Sequence, residues 1–211
     1  MVINRNLRNF GALLIGALMV SAVPTAGRTQ SETGDYPPVE PLTYGGPFSL
    51  VDHTGKAVTD DDFRGEYMLL TFGYTYCPDV CPTGLQKMAL TLDVLGEAAR
   101  RVRPIFITID PKRDTAETLA DYVPVFHPRL VGLTGTPRQV HEAAKAYVVH
   151  YTIMEYKGEI LVDHTASTYL AGPDGRFLEE FAYGTDPDEM ASKILHYMRE
   201  EQVTRDGAKE G

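Results

Sequence analysis

Two cysteines in a single short motif constrain this chain more than any other feature. Cys77 and Cys81 are the only cysteines in 211 residues, so a fold held together by several disulfides is excluded. A bridge closing so short a loop would remove little entropy from the unfolded chain. We therefore interpret the pair as a metal or redox site, with a local structural disulfide as the alternative.

The residues around the pair predict a buried strand before it and a helix that begins at it. Residues 67–72 form a continuous apolar run, typical of a strand buried on both faces. Apolar residues then recur at helical spacing over residues 85–95. Pro82 is tolerated without strain only in the first turn of a helix, so we expect Cys81 in that turn and Cys77 in the preceding loop. A helix N-terminus favours the thiolate, the form that binds metal and attacks disulfides.

Predicted strands and helices alternate along the chain in the order βαβαβαββα, with the cysteine pair after the first core strand. This order predicts an α/β, thioredoxin-like fold, with a central mixed sheet flanked by helices and an N-terminal β-hairpin extension. The expected strands cover residues 48–51, 57–58, 67–72, 102–109, 130–133, 168–171 and 176–182. The expected helices cover residues 80–96, 114–126, 136–147 and 186–203.

The N-terminal region combines a basic start with an apolar run. Arg5 and Arg8 precede the apolar run of residues 10–23. This run is shorter than the stretch of about 20 residues that is needed to span a bilayer core. We predict a signal peptide or short membrane anchor over residues 1–27, which implies export from the cytoplasm. Residues 28–46 are rich in Gly, Pro, Ser and Thr and predict a linker.

The remaining chain predicts one domain over residues 47–203 and a disordered polar tail over residues 204–211. The length leaves no room for two domains of ordinary size. A net charge of −9 without a basic cluster argues against a surface that binds nucleic acid or anionic lipid. We expect no nucleic-acid partner, and membrane association only through the N-terminus.

A histidine could complete a metal site with the two cysteines. Two thiolates select soft ions such as copper(I) or zinc, and an added imidazole would also allow copper(II) to be held. His164 is favoured because it precedes the predicted strand 168–171, and in a thioredoxin-like sheet the loop entering that hairpin passes beside the two-cysteine turn. His150 is a weaker second choice. The other histidines, expected to have structural roles only, are His53, His127, His141 and His196.

Two acidic residues next to these candidates have two interpretations. Asp163 precedes His164 and is predicted to orient its ring by hydrogen bonding, as partners of metal-bound imidazoles do. Asp79 lies between the cysteines and could tune them, but it is equally explained as the N-cap of the helix.

Several motifs in order along the chain resemble one known family. They are YCPDVCP at 76–82, TIDPKRDT at 108–115, DH at 163–164, YL at 169–170 and GPDG at 172–175. From about residue 47 to the last helix the chain resembles the SCO/SenC family of copper-delivery proteins. Asp110 and Asp114 lie in the second motif, and we interpret them from their positions as turn and helix-cap residues.

The resemblance implies copper as the bound metal and Cys77, Cys81 and His164 as its ligands. It also implies a role in building the binuclear copper centre of cytochrome c oxidase subunit II, as copper donor, as reductant of that subunit's cysteines, or both. A copper-donor chaperone and a thioredoxin-like reductant are further candidate partners. The expected location is the periplasmic side of the inner membrane, either soluble or anchored.

Other functions of the cysteine pair remain open. A thiol–disulfide oxidoreductase would use Cys77 and Cys81 as a redox-active pair, but thioredoxin-type enzymes have two residues between their cysteines and this chain has three. Such an enzyme would also leave His164 unexplained. A peroxiredoxin-type peroxidase needs one activated cysteine in a suitable pocket, and a structural zinc site usually needs four protein ligands, whereas only three are found here.

Overall fold

A seven-stranded mixed sheet and a separate two-stranded sheet form the framework of the described chain. The structure is a computed structural model and describes residues 44–156 and 159–207. Its strands are β1 (Ser49–Asp52), β2 (Ala57–Thr59), β3 (Tyr67–Gly73), β4 (Val102–Thr108), β5 (Val131–Thr134), β6 (Tyr151–Tyr156), β7 (Glu159–His164), β8 (Thr168–Ala171) and β9 (Phe177–Phe181). Its helices are α1 (Val80–Leu95), α2 (Ala116–Tyr122), α3 (Pro137–Ala146) and α4 (Pro187–Gly207).

The large sheet has parallel strands at its centre and antiparallel strands at its edges. Its strand order is β2-β1-β5-β4-β3-β8-β9. The strands β3, β4 and β5 are parallel, whereas β1 pairs antiparallel with β2 and β5, and β8 with β3 and β9. Helices α1 and α2 make the crossovers between the parallel strands. The predicted thioredoxin-like α/β fold and its N-terminal hairpin are confirmed.

Strand β3 lies inside the sheet between β4 and β8, and all its residues are buried. Met68, Leu70 and Phe72 belong to the apolar core on one face, and Tyr67 and Leu69 belong to the core on the other. This alternation follows from the pleat of a strand, and helices cover both faces. Burial of each large apolar side chain contributes about 1.5–3 kcal/mol. The end of β3 is therefore held firmly in place.

Helix α1 follows β3 and begins and ends where the sequence predicts. Asp79 is its N-cap residue, and Pro82 lies in its first turn, where a missing backbone N–H is tolerated. Gly96 ends the helix with φ of +55°, a conformation that glycine adopts without strain. The strand, the turn and the helix together fix the course of the chain around both cysteines.

The N-terminal boundary of the packed region differs from the prediction. Tyr44 stacks on Phe177 with ring centroids 4.9 Å apart, so residues 44–46 of the predicted linker already pack against the sheet. The stacking of these two aromatic rings explains why residues 44–46 pack against the domain despite their Gly- and Pro-rich surroundings. The predicted signal or anchor over residues 1–27 lies outside the described residues. Among the residues that are described, no helix has both the length and the apolar character needed to cross a bilayer.

The end of the last helix and one pair of strands differ from the prediction. Helix α4 extends to Gly207, beyond Val203, where the polar tail was expected to begin. Strands β6 and β7 form a two-stranded antiparallel sheet of their own, with Tyr151 opposite His164. Tyr151 and Val162 pack against the main apolar core, so the base of this hairpin is attached to the domain.

Candidate metal centre

The sulfur of Cys81 packs directly against the backbone at the end of β3. A Cβ atom at Gly73, the last residue of β3, would lie 2.8 Å from Sγ of Cys81 and 2.9 Å from the ring of Phe106. No side chain fits at those distances, so a glycine is required for the thiol to approach the strand. The backbone N–H of Cys77 donates to the carbonyl of Tyr74 at 3.2 Å, which closes the turn before α1.

The two thiols are free and differ in environment. Cys81 is 7% exposed, whereas Cys77 is only partly buried. Burial tends to raise the pKa of Cys77, but hydrogen bonds from the backbone N–H groups of Cys81, Asp79 and Val80 outweigh it and lower the pKa below 9.0. Burial raises the pKa of the Cys81 thiol to about 12. Cys77 is therefore the more readily ionised and more accessible sulfur.

His164 ends β7 and directs one ring nitrogen at Cys81. Its Nδ1 lies 2.8 Å from the carbonyl oxygen of Thr165, and a carbonyl can only accept, so Nδ1 carries the proton of this bond. In the neutral ring Nε2 then presents a lone pair, and it lies 3.6 Å from Sγ of Cys81. The ring of Tyr74 packs edge-on against the imidazole at 6.2 Å and restricts its rotation.

The distance between the sulfur and the nitrogen fits a shared metal ion. Metal bonds of about 2.3 Å to sulfur and about 2.0 Å to nitrogen, at tetrahedral or trigonal angles, separate the two donors by about 3.5–3.7 Å. The observed separation of Cys81 Sγ from His164 Nε2 is 3.6 Å. Across residues 44–156 and 159–207, no three His, Cys, Asp or Glu side chains are already grouped closely enough to hold a metal ion. Cys81 and His164 are thus the preformed part of the candidate site, and Cys77 lies beside them.

The other histidines have contacts of a structural kind. Nδ1 of His53 accepts from the N–H of Gly132, and Nδ1 of His127 accepts from the N–H of Arg129, each at 3.1 Å. His141 packs against Tyr151, and His196 pairs with Glu200 on α4. His150, the weaker candidate ligand, is exposed and uses its backbone N–H to bond Oγ1 of Thr165.

The side chains of the two acidic neighbours make neither of the hydrogen bonds that the sequence suggested. Asp163 was expected to orient the ring of His164, but the Nδ1 atom bonds to the carbonyl of Thr165 instead, and Asp163 is exposed on β7. Asp79 occupies the N-cap position, yet its side chain makes no capping hydrogen bond. Its backbone N–H, rather than its carboxylate, acts on the thiol of Cys77.

Two charged residues, Asp110 and Arg113, border the segment between β3 and α1. We call this segment, residues 74–79, the cysteine turn. Asp110 is almost fully buried, and one of its carboxylate oxygens accepts from Nε of Arg113. The guanidinium group lies 4.6 Å from the ring of Tyr76 and 5.9 Å from that of Tyr74, both distances typical of cation–π contacts. The loop after β4 therefore packs its charged residues against the turn that precedes Cys77.

Asp114 was interpreted as a helix cap, and this interpretation is wrong. Thr115 caps α2 through its side chain, which accepts from the N–H of Thr118. The Asp114 side chain is instead fully buried and bonds to Thr75 and Thr108. The sequence does place Asp114 shortly after a predicted buried strand. Functional sites of α/β sheets usually lie at that end of the strands, so this position was the signal for a role beyond capping.

Comparison with known proteins identifies the family of this chain. The sequence model of the family described as SCO1/SenC matches residues 37–199. The chain belongs to the SCO1/SenC family. The SCO1 homolog of Homo sapiens, described as mitochondrial, is 46% identical over 159 residues, which cover 74% of this chain and 53% of that protein. This SCO1/SenC chain therefore matches about half the length of that relative.

Solved structures agree with the family assignment. ScoI of Arabidopsis thaliana, described as having copper bound, has a TM-score of 0.70 and 39% identity, covering 74% of this chain and 98% of that one. A more distant structure, BsSco, has a TM-score of 0.58 and 26% identity, covering 74% of this chain and 95% of that one. Its description names a disulfide switch and the Sco family of cytochrome c oxidase assembly proteins.

Proposed function

We propose that this SCO1/SenC protein binds copper through Cys77, Cys81 and His164 and delivers it to the binuclear copper centre of cytochrome c oxidase subunit II. The observation that carries the proposal is the 3.6 Å approach of His164 Nε2 to Cys81 Sγ. The copper described in the Arabidopsis relative supports the metal, and the description of BsSco supports a role in oxidase assembly.

The donor set suits copper as a cargo. Two thiolates hold copper(I) well, because soft sulfur ligands favour soft ions, and the imidazole nitrogen adds the donor that copper(II) needs. The hydrogen bond from Nδ1 to the Thr165 carbonyl keeps the ring in the orientation required for Nε2 to act as a ligand.

The unequal exposure of the two sulfurs favours transfer by ligand exchange. Cys81 is buried against the end of β3, whereas Cys77 is partly exposed on its loop. His164 is also partly exposed, but its ring is held by Thr165. An incoming thiol or imidazole of a partner would reach the Cys77 side first. We expect Cys77 to be the ligand exchanged first and Cys81 the last to release the cargo.

Thiol–disulfide reduction is a second candidate function, favoured by the unequal pKa values of the cysteines. The Cys77 thiolate would attack one sulfur of a partner disulfide, forming a mixed disulfide and releasing a partner thiolate. The sulfur of Cys81 would then attack Sγ of Cys77, and its proton would pass to the released partner sulfur. The partner disulfide gains two electrons, and Cys77 and Cys81 become joined by a disulfide.

We further propose that the domain works on the periplasmic side of the inner membrane. The basic and apolar pattern of residues 1–27 supports export, by a cleaved signal or a retained anchor. Cytochrome c oxidase subunit II is the proposed acceptor, and a copper-donor chaperone and a thioredoxin-like reductant are proposed partners. A C-terminal reporter enzyme that is active only in the cytoplasm should be silent, and activity of that reporter would contradict the proposal.

An assembly assay in cells separates the two functions. Under copper limitation, His164→Ala should prevent oxidase assembly although the protein accumulates and its cysteines still cycle between thiol and disulfide. Added copper should restore assembly, because only the delivery of metal has failed. If His164→Ala supports normal assembly under copper limitation while Cys81→Ala does not, copper delivery is the wrong function and thiol reduction replaces it.

A further inference from the structure

Asp114 is a buried carboxylate that joins the cysteine turn to the ends of two strands. Its carboxylate accepts from the backbone N–H of Thr75 at 2.9 Å and from the hydroxyl of Thr75 at 2.5 Å. The same group accepts from the hydroxyl of Thr108, at the end of β4, at 2.7 Å. The backbone carbonyl of Asp114 accepts from the hydroxyl of Thr134, at the end of β5, at 2.7 Å.

These bonds act on the segment that carries Cys77. Thr75 lies two residues before Cys77, and the intervening turn is closed by the bond from the Cys77 N–H to the Tyr74 carbonyl. Two of the three hydrogen bonds to the Asp114 carboxylate come from Thr75. The carboxylate therefore fixes both the backbone and the side chain of Thr75 relative to β4.

Burial makes these bonds sensitive to substitution. The Asp114 side chain is removed from solvent, with 0% of the residue exposed. A buried carboxylate must keep its hydrogen-bond donors, because the loss of one leaves an acceptor that water cannot reach. Loss of the Thr75 hydroxyl is expected to let the cysteine turn shift, whereas β4 and β5 remain held by their ladders.

We propose that Asp114 is a positioning residue for the copper site, which it serves by holding Thr75 and thereby setting the place of Cys77 relative to Cys81 and His164. The proposal rests on the proposed copper-binding function. It assigns to the loop after β4 a part in metal affinity in addition to its part in the fold.

Isosteric variants test the proposal by separating affinity from stability. Thr75→Val removes the hydroxyl donor and keeps the backbone bond, and Thr75→Ser restores a hydroxyl. Thr134→Val is the matched control, because it removes a hydrogen bond to the same residue, Asp114, without touching the cysteine turn. For each reduced protein, copper(I) affinity is measured by competition with a chelator of known affinity, and the midpoint of thermal unfolding is measured without metal.

The expected result is a loss of copper(I) affinity where the bond between Thr75 and Asp114 is weakened, and none in the control. Thr75→Val should bind copper(I) about tenfold more weakly, the size of effect typical of residues that position metal ligands. Thr75→Ser should bind like the natural protein. Thr134→Val should lower the unfolding midpoint and leave affinity unchanged. Asp114→Asn should weaken affinity at least as much as Thr75→Val wherever it folds.

Other outcomes overturn the proposal. Unchanged affinity in Thr75→Val, equal losses in Thr75→Val and Thr134→Val, or no rescue by Thr75→Ser would each show that Asp114 serves the fold alone. Failure of the natural protein to bind copper(I) would instead contradict the proposed function. The two failures are therefore distinguished within one set of titrations.

Discussion

The cysteine turn and the β6–β7 hairpin contribute to the same candidate site but are built in different ways. The turn joins the fully buried inner strand β3 to α1, and the Asp114 carboxylate bonds to Thr75 in the turn. The hairpin pairs only with itself among the described strands and meets the domain at its base through Tyr151 and Val162. His164 lies where the hairpin returns to the domain, and the bond from the Thr165 N–H to the His150 carbonyl closes that base.

This difference shows how affinity and stability can be divided within one site. Changes in the cysteine turn disturb the core, because the turn connects β3 to α1 and both elements contribute core residues. Changes at His164 alter a ligand on an element that the main sheet does not need for its own pairing. We therefore expect variants of the turn to change both stability and metal binding, and variants of His164 to change metal binding alone.

The largest expected effect comes from Cys81→Ala. This change removes one of the two proposed thiolate ligands, whose sulfur lies 3.6 Å from Nε2 of His164, so copper(I) affinity should fall by about a thousandfold or more. His164→Ala, the matched change in the hairpin, should weaken copper(I) by about tenfold and copper(II) by more, because two thiolates still hold copper(I). Chelator competition measures both. Full copper loading of Cys81→Ala would contradict the site.

A smaller effect is expected from Gly73→Ala, which changes the floor of the cysteine turn. The added Cβ would lie 2.8 Å from Sγ of Cys81, and such overpacking costs about 1–3 kcal/mol of unfolding free energy. The displaced sulfur should also lower copper(I) affinity. Gly84→Ala is the control, since a Cβ there meets no atom within 4 Å and alanine should favour α1 by about 0.5–1 kcal/mol. If Gly73→Ala matches the natural protein in both urea unfolding and copper titration, the space that Gly73 leaves for Cys81 affects neither stability nor copper binding.

The smallest effect near neutral pH is a pH dependence of stability that arises in the cysteine turn. Burial raises the pKa of Cys81 from 9.0 to about 12, so the unfolded chain loses this proton at a lower pH than the folded one. The contribution of the thiol to stability is complete below pH 9 and is lost between pH 9 and about 12, by at most about 1.4 kcal/mol per pH unit. Urea unfolding of the reduced, metal-free protein on both sides of pH 9 should show this loss.

Two variants show whether this pH dependence comes from the turn. Cys81→Ala should unfold with a shallower loss of stability above pH 9, and the tyrosines that titrate in the same range cancel in the comparison. His164→Ala should keep most of this loss, because the sulfur of Cys81 also lies against the end of β3 at Gly73. An identical pH dependence in the natural protein and in Cys81→Ala would assign the effect to other groups.

The cysteine turn was predictable from the sequence because its determinants are local. An unbroken apolar run predicts β3, the helical spacing and Pro82 predict the start of α1, and Gly96 ends it. These signals lie within a few residues of the cysteines. The placement of Cys77 in the loop and Cys81 in the first turn follows from them directly.

The hairpin and the support of the turn depend on distant contacts, which sequence patterns do not contain. His164 was expected in a loop, whereas it ends β7, and its partner Tyr151 lies thirteen positions earlier in the chain. Asp114 resembles a cap in its local sequence, but Thr75, its hydrogen-bond partner, is 39 residues away. Burial of a carboxylate between two segments so far apart becomes visible only in the folded chain.

The packing of Tyr74 against His164 has a consequence for spectroscopy. The chain has 12 tyrosines and no tryptophan, so tyrosine dominates its intrinsic ultraviolet emission. Tyr74 lies 6.2 Å from the imidazole between ring centroids, well within the range of quenching by a paramagnetic ion. Binding of copper(II) at the imidazole should therefore dim part of this emission, and Tyr74→Leu should reduce the change. Tyrosine emission should therefore report whether copper(II) occupies the proposed site, without an attached dye.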